Sequence, residues 1–373
     1  MAQSEIPTAT IAKPPGAAQN PLKRRLAFLS PDLRTHSVAY FLEPLLQHID
    51  RERFDIILYH DHFVTDATSE RLRVQAGLWR NFVGKSHAEV AAQIRADAPD
   101  ILVDLAGHTG MNRLPVFAQR VAPVQVSYLG YPNTTGVPAM DCRLTDAIAD
   151  PDDSDAFSTE KLIRFAPCAW SYQPPVDAPE PASPPCTQGN PFTFGSFNNF
   201  SKANDFTLRL WASVLRSVPG ARLALKSFGV DPEHLKHLLA QAGLDASRVV
   251  LIPPATTTAE HLACYNQVDV ALDTFPYHGT TTTCEALWMG VPVITLRGDR
   301  HASRVGCSLL TATGHPEWIA RNADEFIQIA LGLSQSPQAL ADHRSRLRTE
   351  LSTGALMNDR DHARAFSEAL AQV

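Results

Sequence analysis

Short apolar runs alternate with longer amphipathic segments along this chain, and that rhythm restricts it to a narrow class of folds. In the first half, RLAFLS (25–30), FDIILYH (54–60), ILVDLAG (101–107), VQVSYLG (124–130) and CRLTD (142–146) read as strands. Between them, SVAYFLEPLLQHI (37–49) and HAEVAAQIRADAPD (87–100) have helical spacing. Pro44 predicts a kink or an early stop in the first of these helices. Strands that alternate with helices pair in parallel and are covered on both faces.

The rhythm breaks at WSYQPPVDAPEPASPPCTQGNP, where proline is too dense for a regular helix or a central strand. It then restarts. FTFGSF (192–197), ARLALKSF (221–228), RVVLIP (248–253), VDVALDT (268–274) and VPVITL (291–296) are strand candidates. Helical segments at 205–218, 232–243, 258–267 and 281–290 lie between them, and a helical tail follows from about residue 301. The expected fold class is therefore α/β, with two Rossmann-like parallel-sheet domains facing a cleft. The expected division is a flexible lead-in at 1–23, a first domain at 24–170, a linker at 171–191, and a second domain with C-terminal helices at 192–373.

Several function classes receive no support. Lys and Arg number 33 against 39 Asp and Glu, a net charge of −6, so a nucleic-acid partner has no electrostatic attraction. No apolar run approaches the length of a membrane span, and the N-terminal residues lack the apolar core of a secretory signal. The six cysteines show neither C-x-x-C pairing nor zinc spacing, which fits reduced thiols in a cytoplasmic protein. No cluster with metal-ligand spacing is visible, so no metal and no other cofactor is expected.

Ligands of open α/β sheets sit beyond the carboxyl ends of the strands. Neither half carries G-x-G-x-x-G or a Walker A loop. After VDVALDT, however, comes FPYHGTTTTCEALWMG. There Thr280, Thr281, Thr282 and Thr283 follow Gly279 at the start of a helix, whose first N–H groups are unpaired and whose dipole is positive. Hydroxyls and free amides in one concavity suit a phosphate; the alternative is that one threonine simply caps the helix. Glu285, one turn inside, is suited to ribose hydroxyls. Lys202 follows FTFGSF and offers a cation for a leaving diphosphate, or is a solvated loop lysine. His261 either packs beside a nucleobase or lies on a helix surface. In the first half His36 follows RLAFLS, and His108 and Thr109 follow ILVDL. They are candidates for a general base or for groups that orient an acceptor, against capping or core roles. The irregular loop YLGYPNTTGVPAMD (128–141) has the length of a binding loop. Arg304, in RHASRVGCSLL, either supports the phosphate loop or is structural.

These blocks together resemble the catalytic region of the O-GlcNAc transferase and SPINDLY family. They are RLAFLSPDLRTHSVAYFLEPLL, ILVDLAGHTGMNRL, APVQVSYLGYPNTTGVPAMDCRLTD, FTFGSFNNFSK, VALDTFPYHGTTTTCEALWMGVPVITL and HASRVGCSLL, in that order from about residue 24. The block TFPYHGTTTTCE is similar to the SPINDLY branch. The resemblance implies a two-lobed GT-B glycosyltransferase that uses a nucleotide sugar and modifies protein or peptide hydroxyls. It implies that Lys202, Thr281 and Thr282 contact the diphosphate, that Asn199 contacts the donor, that His261 lies near the base and that Glu285 meets the ribose. His36 then matches an acceptor-side histidine, and His108 and Thr109 line the sugar pocket. Thr280 stands where animal enzymes carry histidine. The tetratricopeptide helices and the large intervening domain of that family have no counterpart in these residues.

The resulting expectation is an inverting, metal-independent transfer to Ser or Thr, with UDP-N-acetylglucosamine as the donor. GDP-fucose is the alternative donor. Rivals of other classes are a nucleotide-sugar-binding protein without catalysis and an epimerase-like relative acting on the free donor.

Overall fold

In the computed structural model, residues 23–226 and 231–373 are described. The first lobe is a seven-stranded sheet built from β1 (Arg24–Ser30), β2 (Phe54–His60), β3 (Leu78–Asn81), β4 (Ile101–Asp104), β5 (Val124–Ser127), β6 (Cys142–Thr145) and β7 (Lys161–Arg164), in the order β3-β2-β1-β4-β5-β6-β7. The second is a six-stranded sheet of β8 (Thr193–Ser196), β9 (Arg222–Lys226), β10 (Val249–Ile252), β11 (Val270–Leu272), β12 (Val293–Leu296) and β13 (Ile319–Ala320), in the order β10-β9-β8-β11-β12-β13. Every pairing is parallel. The two Rossmann-like lobes expected from the rhythm are present, and β3, β7 and β13 join strands that the sequence announced. The strand read at 221–228 ends at Lys226 within the described residues.

Strand order reverses between β1 and β4 in one lobe and between β8 and β11 in the other. The crevices above those two reversals are where such sheets bind ligands. His36 follows β1 and His108 follows β4. Lys202 follows β8 and the threonine run follows β11.

Pro44 does not stop its helix, which runs Ala39–His48 with the proline buried inside. Proline removes the N–H that would bond the Tyr40 carbonyl. Gln173 N, from the proline-rich segment, bonds that carbonyl instead at 2.9 Å. The proline-rich stretch is thus part of the packing: Trp170 and Tyr172 lie buried in the first lobe's core.

The C-terminal helices divide between the lobes, which corrects their assignment to the second domain. Helix Pro337–Thr353 buries Leu340, Leu347 and Leu351 against the second lobe. Helix Asp359–Leu370 returns to the first lobe. There Phe366 stacks on Phe28 (6.3 Å) and lies 5.3 Å from Tyr128, and Arg24 Nη1 donates to the Leu370 carbonyl at 3.1 Å. Among the described residues no helix is long and apolar enough to cross a membrane.

Candidate active site

The chain leaves β11 at Asp273, forms a tight loop through Gly279, and enters helix Thr281–Trp288. Among the described residues the amides of Thr281, Thr282 and Thr283 have no partner outside the helix, as expected of a first turn. Thr280 occupies the N-cap position but makes no side-chain cap, so simple capping does not account for the run. The four hydroxyls differ. Thr282 Oγ1 donates to Asn198 Oδ1 (2.9 Å) and Thr283 Oγ1 to the Gly279 carbonyl (3.0 Å). Those of Thr280 and Thr281 have no hydrogen-bond partner among the described residues, so they remain for a ligand. A Cβ on Gly279 would lie 2.2 Å from Thr282 Oγ1 and 2.8 Å from Asn198 Oδ1, so only glycine fits at this turn.

Lys202 extends toward this turn. Its Nζ donates to the His278 carbonyl at 3.0 Å and lies 3.8 Å from the centre of the Tyr277 ring. Burial lowers the ammonium's pKa, and Asp273 opposes the shift. Asn199 is less central than expected: it is exposed, and its side chain caps the short turn at Phe200–Lys202 by accepting from Ser201 N. Its neighbour Asn198 is the buried one, and sequence reasoning missed it. So too with Asp273, whose carboxylate accepts from Thr274 N, Gly279 N, Asn198 Nδ2 and Thr295 Oγ1. A polar residue at a strand end gives no local signal of such a role; only the parallel placement of β8, β11 and β12 does.

Glu285 is buried, and its Oε2 accepts from Tyr265 Oη (3.0 Å) and faces His261 Nε2 (3.0 Å). The ammonium of Lys226 abuts His261 Nδ1. An ammonium only donates, which assigns the proton to Nε2 and directs it at Glu285. With both nitrogens occupied, His261 has only its ring to offer a ligand. The first lobe reaches the same place. Burial, and then the charge of Glu285, raise the pKa of the Tyr40 hydroxyl, which lies beside Thr258.

On the first lobe, Asp104 ends β4 and accepts from Ala106 N (3.0 Å) and Gly107 N (2.8 Å), folding the chain that presents His108. Burial pushes its carboxyl up to about 6 against the opposing pull of those amides. His108 Nε2 donates to the Thr135 carbonyl at 2.7 Å, so Nδ1 carries a lone pair with no partner among the described residues. His36 differs: its Nδ1 accepts from Val38 N (3.3 Å), and Nε2 lies 3.6 Å from Asp32. Burial lowers the His36 pKa, with Asp32 opposing, which favours the neutral ring. The Thr109 hydroxyl is spent on the Ala106 carbonyl (2.8 Å). The ring of Tyr131, from the irregular loop, lies 5.2 Å from that of His108. Burial, then the Tyr131 phenol, raise the pKa of Tyr277 on the opposite lobe. Lys202 with Tyr277 on one lobe and Tyr131 with His108 on the other are thus two pairs on facing sides of the cleft.

Arg304 belongs to neither pair. Its Nε donates to the Ile148 carbonyl (2.7 Å) and its Nη1 to the Gly298 carbonyl (3.0 Å), one on each lobe. Of the two roles left open by the sequence, these bonds fit the structural one, a strut between the lobes. Nearby, Asp150 joins Arg143 and His301 across the same junction, and Ser308 Oγ donates to Asp146 at 2.6 Å. Among the described residues no group of three or more His, Cys, Asp or Glu side chains is placed to hold a metal ion.

The sequence profile described as "Glycosyl transferase family 41" matches residues 8–170 and 188–366. The chain is 40% identical over 341 residues to a probable UDP-N-acetylglucosamine–peptide N-acetylglucosaminyltransferase, SPINDLY, of Arabidopsis thaliana, covering 89% of this chain and 37% of that one. It is 30% identical over 346 residues to a second such probable enzyme of Arabidopsis thaliana, SEC, covering 90% of this chain and 35% of the relative. The chain thus spans little more than a third of the length of these relatives. Among solved structures, a variant of the Thermobaculum terrenum O-GlcNAc transferase superposes with a TM-score of 0.86 at 37% identity, covering 97% of this chain and 71% of that one. Anabaena Alr3699/HepE in complex with UDP shares the two-lobed fold, at a TM-score of 0.60 and 13% identity over 94% of this chain and all of the other. By profile, identity and fold, the chain belongs to glycosyl transferase family 41.

Proposed function

We propose that this protein transfers a sugar from a nucleotide sugar to a serine or threonine hydroxyl of a protein or peptide acceptor, with inversion at the anomeric carbon and without a metal ion. The observation that carries the reading is the pairing of a cradle suited to a diphosphate, with Lys202 beside the unpartnered Thr280 and Thr281 hydroxyls, and an imidazole with a free lone pair, His108, at the strand end of the other lobe. UDP-N-acetylglucosamine is the proposed donor, the one for which the two plant relatives are named.

In this reading the diphosphate rests on the Thr281–Thr283 amides and the Thr280 and Thr281 hydroxyls. Glu285 Oε1 accepts from the ribose and the His261 ring lies against the base. The acceptor oxygen forms its bond to the anomeric carbon as the bond to the diphosphate breaks. The electron pair leaves with the diphosphate, and the helix dipole and Lys202 stabilise the charge that develops. The acceptor proton passes to His108 Nδ1. The resulting imidazolium keeps its Nε2 bond to Thr135 and is attracted by the Asp104 carboxylate. His36, whose Nδ1 accepts from Val38 N, orients the acceptor through its Nε2–H.

A thermal-shift panel of UDP, GDP and their sugars tests the donor, because a ligand that binds only the folded state raises its melting temperature. Stabilisation by UDP is expected; stabilisation by GDP alone moves the donor to GDP-fucose. Transfer and donor-hydrolysis assays on wild type and Lys202→Ala test the chemistry. Binding with no turnover in either protein makes this a nucleotide-sugar-binding protein, and a new sugar isomer formed without acceptor makes it an epimerase.

A further inference from the structure

We infer that Asp273 is a positioning residue for the diphosphate: by fixing Asn198 and the Gly279 amide, it decides which donors of the threonine helix are left for the ligand. The inference rests on the nucleotide-sugar reading above and goes further, because nothing in that reading requires a carboxylate beneath an anion site.

Asp273 is buried, at 4% exposure, directly after β11. Its Oδ1 accepts from Thr274 N (2.9 Å), Gly279 N (2.8 Å) and Asn198 Nδ2 (3.2 Å), and its Oδ2 from Thr295 Oγ1 (2.7 Å). The carboxylate closes the loop on itself by holding both ends of the segment from Thr274 to Gly279. Thr207 and Ala302 hold the middle of the loop, at Phe275 and His278, but Asp273 is the group that joins its two ends and so sets where the helix starts.

The second effect is on polarity. An ionised carboxylate only accepts, so Asn198 must turn its amide nitrogen to Asp273 and its carbonyl oxygen to Thr282. Thr282 then donates its hydroxyl proton inward, at 2.9 Å, and keeps only its backbone N–H for a ligand. The same loop carries the His278 carbonyl that anchors Lys202, and His278 itself is locked by Gly306 N on Nδ1 (3.1 Å) and the Leu296 carbonyl on Nε2 (3.0 Å). Asp273 therefore holds cation and helix in one frame without touching the ligand. Contact is excluded on charge grounds as well: a carboxylate does not ligate a diphosphate without an intervening cation or proton.

Asp273→Asn puts an amide nitrogen where an acceptor is needed. It also frees Asn198 to rotate, and with it the Thr282 hydroxyl. Isothermal titration with UDP and GDP, and ligand-observed NMR with uridine and guanosine, separate the diphosphate from the nucleoside. For the nucleotide that wild type binds, Asp273→Asn is expected to weaken diphosphate affinity by about tenfold or more, equivalent to ~1.4 kcal/mol, while nucleoside binding stays unchanged. Thr295→Val removes one donor to the carboxylate while keeping the shape of the side chain. It is expected to weaken the diphosphate in the same direction but less, and it decides the matter if Asp273→Asn fails to fold. Unchanged diphosphate affinity, or equal loss for nucleoside and diphosphate, overturns the positioning role alone. A wild-type protein that binds neither UDP nor GDP overturns the donor reading and this inference with it.

Discussion

Glu160 accepts hydrogen bonds from Thr134 Oγ1, Thr135 N and Ser158 Oγ, and Thr135 in turn holds His108 through its carbonyl. Burial alone would push this carboxyl up, but the threonine hydrogen bonds outweigh burial and bring it down to about 2. A glutamate in the unfolded chain titrates near 4.5, so the stabilisation is complete above that pH and is lost as pH falls toward 2. A shift of this size corresponds to at most about 3 kcal/mol. Glu160→Gln is expected to lower the melting temperature at pH 7 and to flatten the decline in stability between pH 4.5 and 2, read by urea denaturation across that range. If the proposed transfer is right, Lys202→Met is expected to reduce kcat by about a hundredfold, on the scale of losing one charge-stabilising donor; initial transfer rates check it. That Lys202, His108 and Glu285 lie at the cleft was legible in the sequence from their places just after a strand or in the first turns of a helix. The roles of Glu160, Asn198 and Asp273 were not, because each acts on backbone brought near by strand pairing. For Arg304 the sequence left a structural and a binding role open, since its two carbonyl partners lie 156 and 6 residues away in sequence.

At the scale of the element, the helix Thr281–Trp288 depends on its approach. Gly279→Ala places a methyl group against Thr282 Oγ1 and Asn198 Oδ1, and overpacking of this kind costs about 1–3 kcal/mol. The expected outcome is weaker nucleotide binding together with a lower melting temperature, measured by titration and thermal shift on the same sample. β4 and β11 share a device. Each lies on the later side of its reversal and ends at or just before a buried aspartate, Asp104 or Asp273, whose carboxylate gathers the amides of the next loop. The strands were legible from apolar runs, and the helix entrance from a glycine before β-branched hydroxyl residues. The course of helix Ala39–His48 through Pro44 was not, because the group that satisfies the Tyr40 carbonyl comes from Gln173.

For the whole molecule, the return of helix Asp359–Leu370 ties the lobes together. His362 lies buried at that junction, with Nε2 3.0 Å from Tyr128 Oη. Burial pushes its pKa down to about 4 from the ordinary 6.5. For a histidine shifted downward, the stability is present above 6.5 and is lost as pH falls through 6.5 toward 4. His362→Gln is expected to reduce the acid sensitivity of unfolding in that window, read by denaturation at stepped pH. Phe366→Ala is expected to cost about 3–5 kcal/mol, as for a large aromatic lost from a core, with the first lobe unfolding before the second in hydrogen exchange.

That returning helix also sets an order of events during synthesis. Domains usually fold as they emerge, the N-terminal one first. Here the first sheet, made from residues 24–164, has Leu356, Ala363, Phe366 and Leu370 in its core, and these are made only after the second sheet is complete. The half of the protein that leaves the ribosome first is therefore the half that finishes last. Until then, the surface of Phe28 and Tyr128 that Phe366 covers stays open to solvent. A nascent chain stalled before residue 356 would present a finished second lobe beside a first lobe still waiting for its final wall.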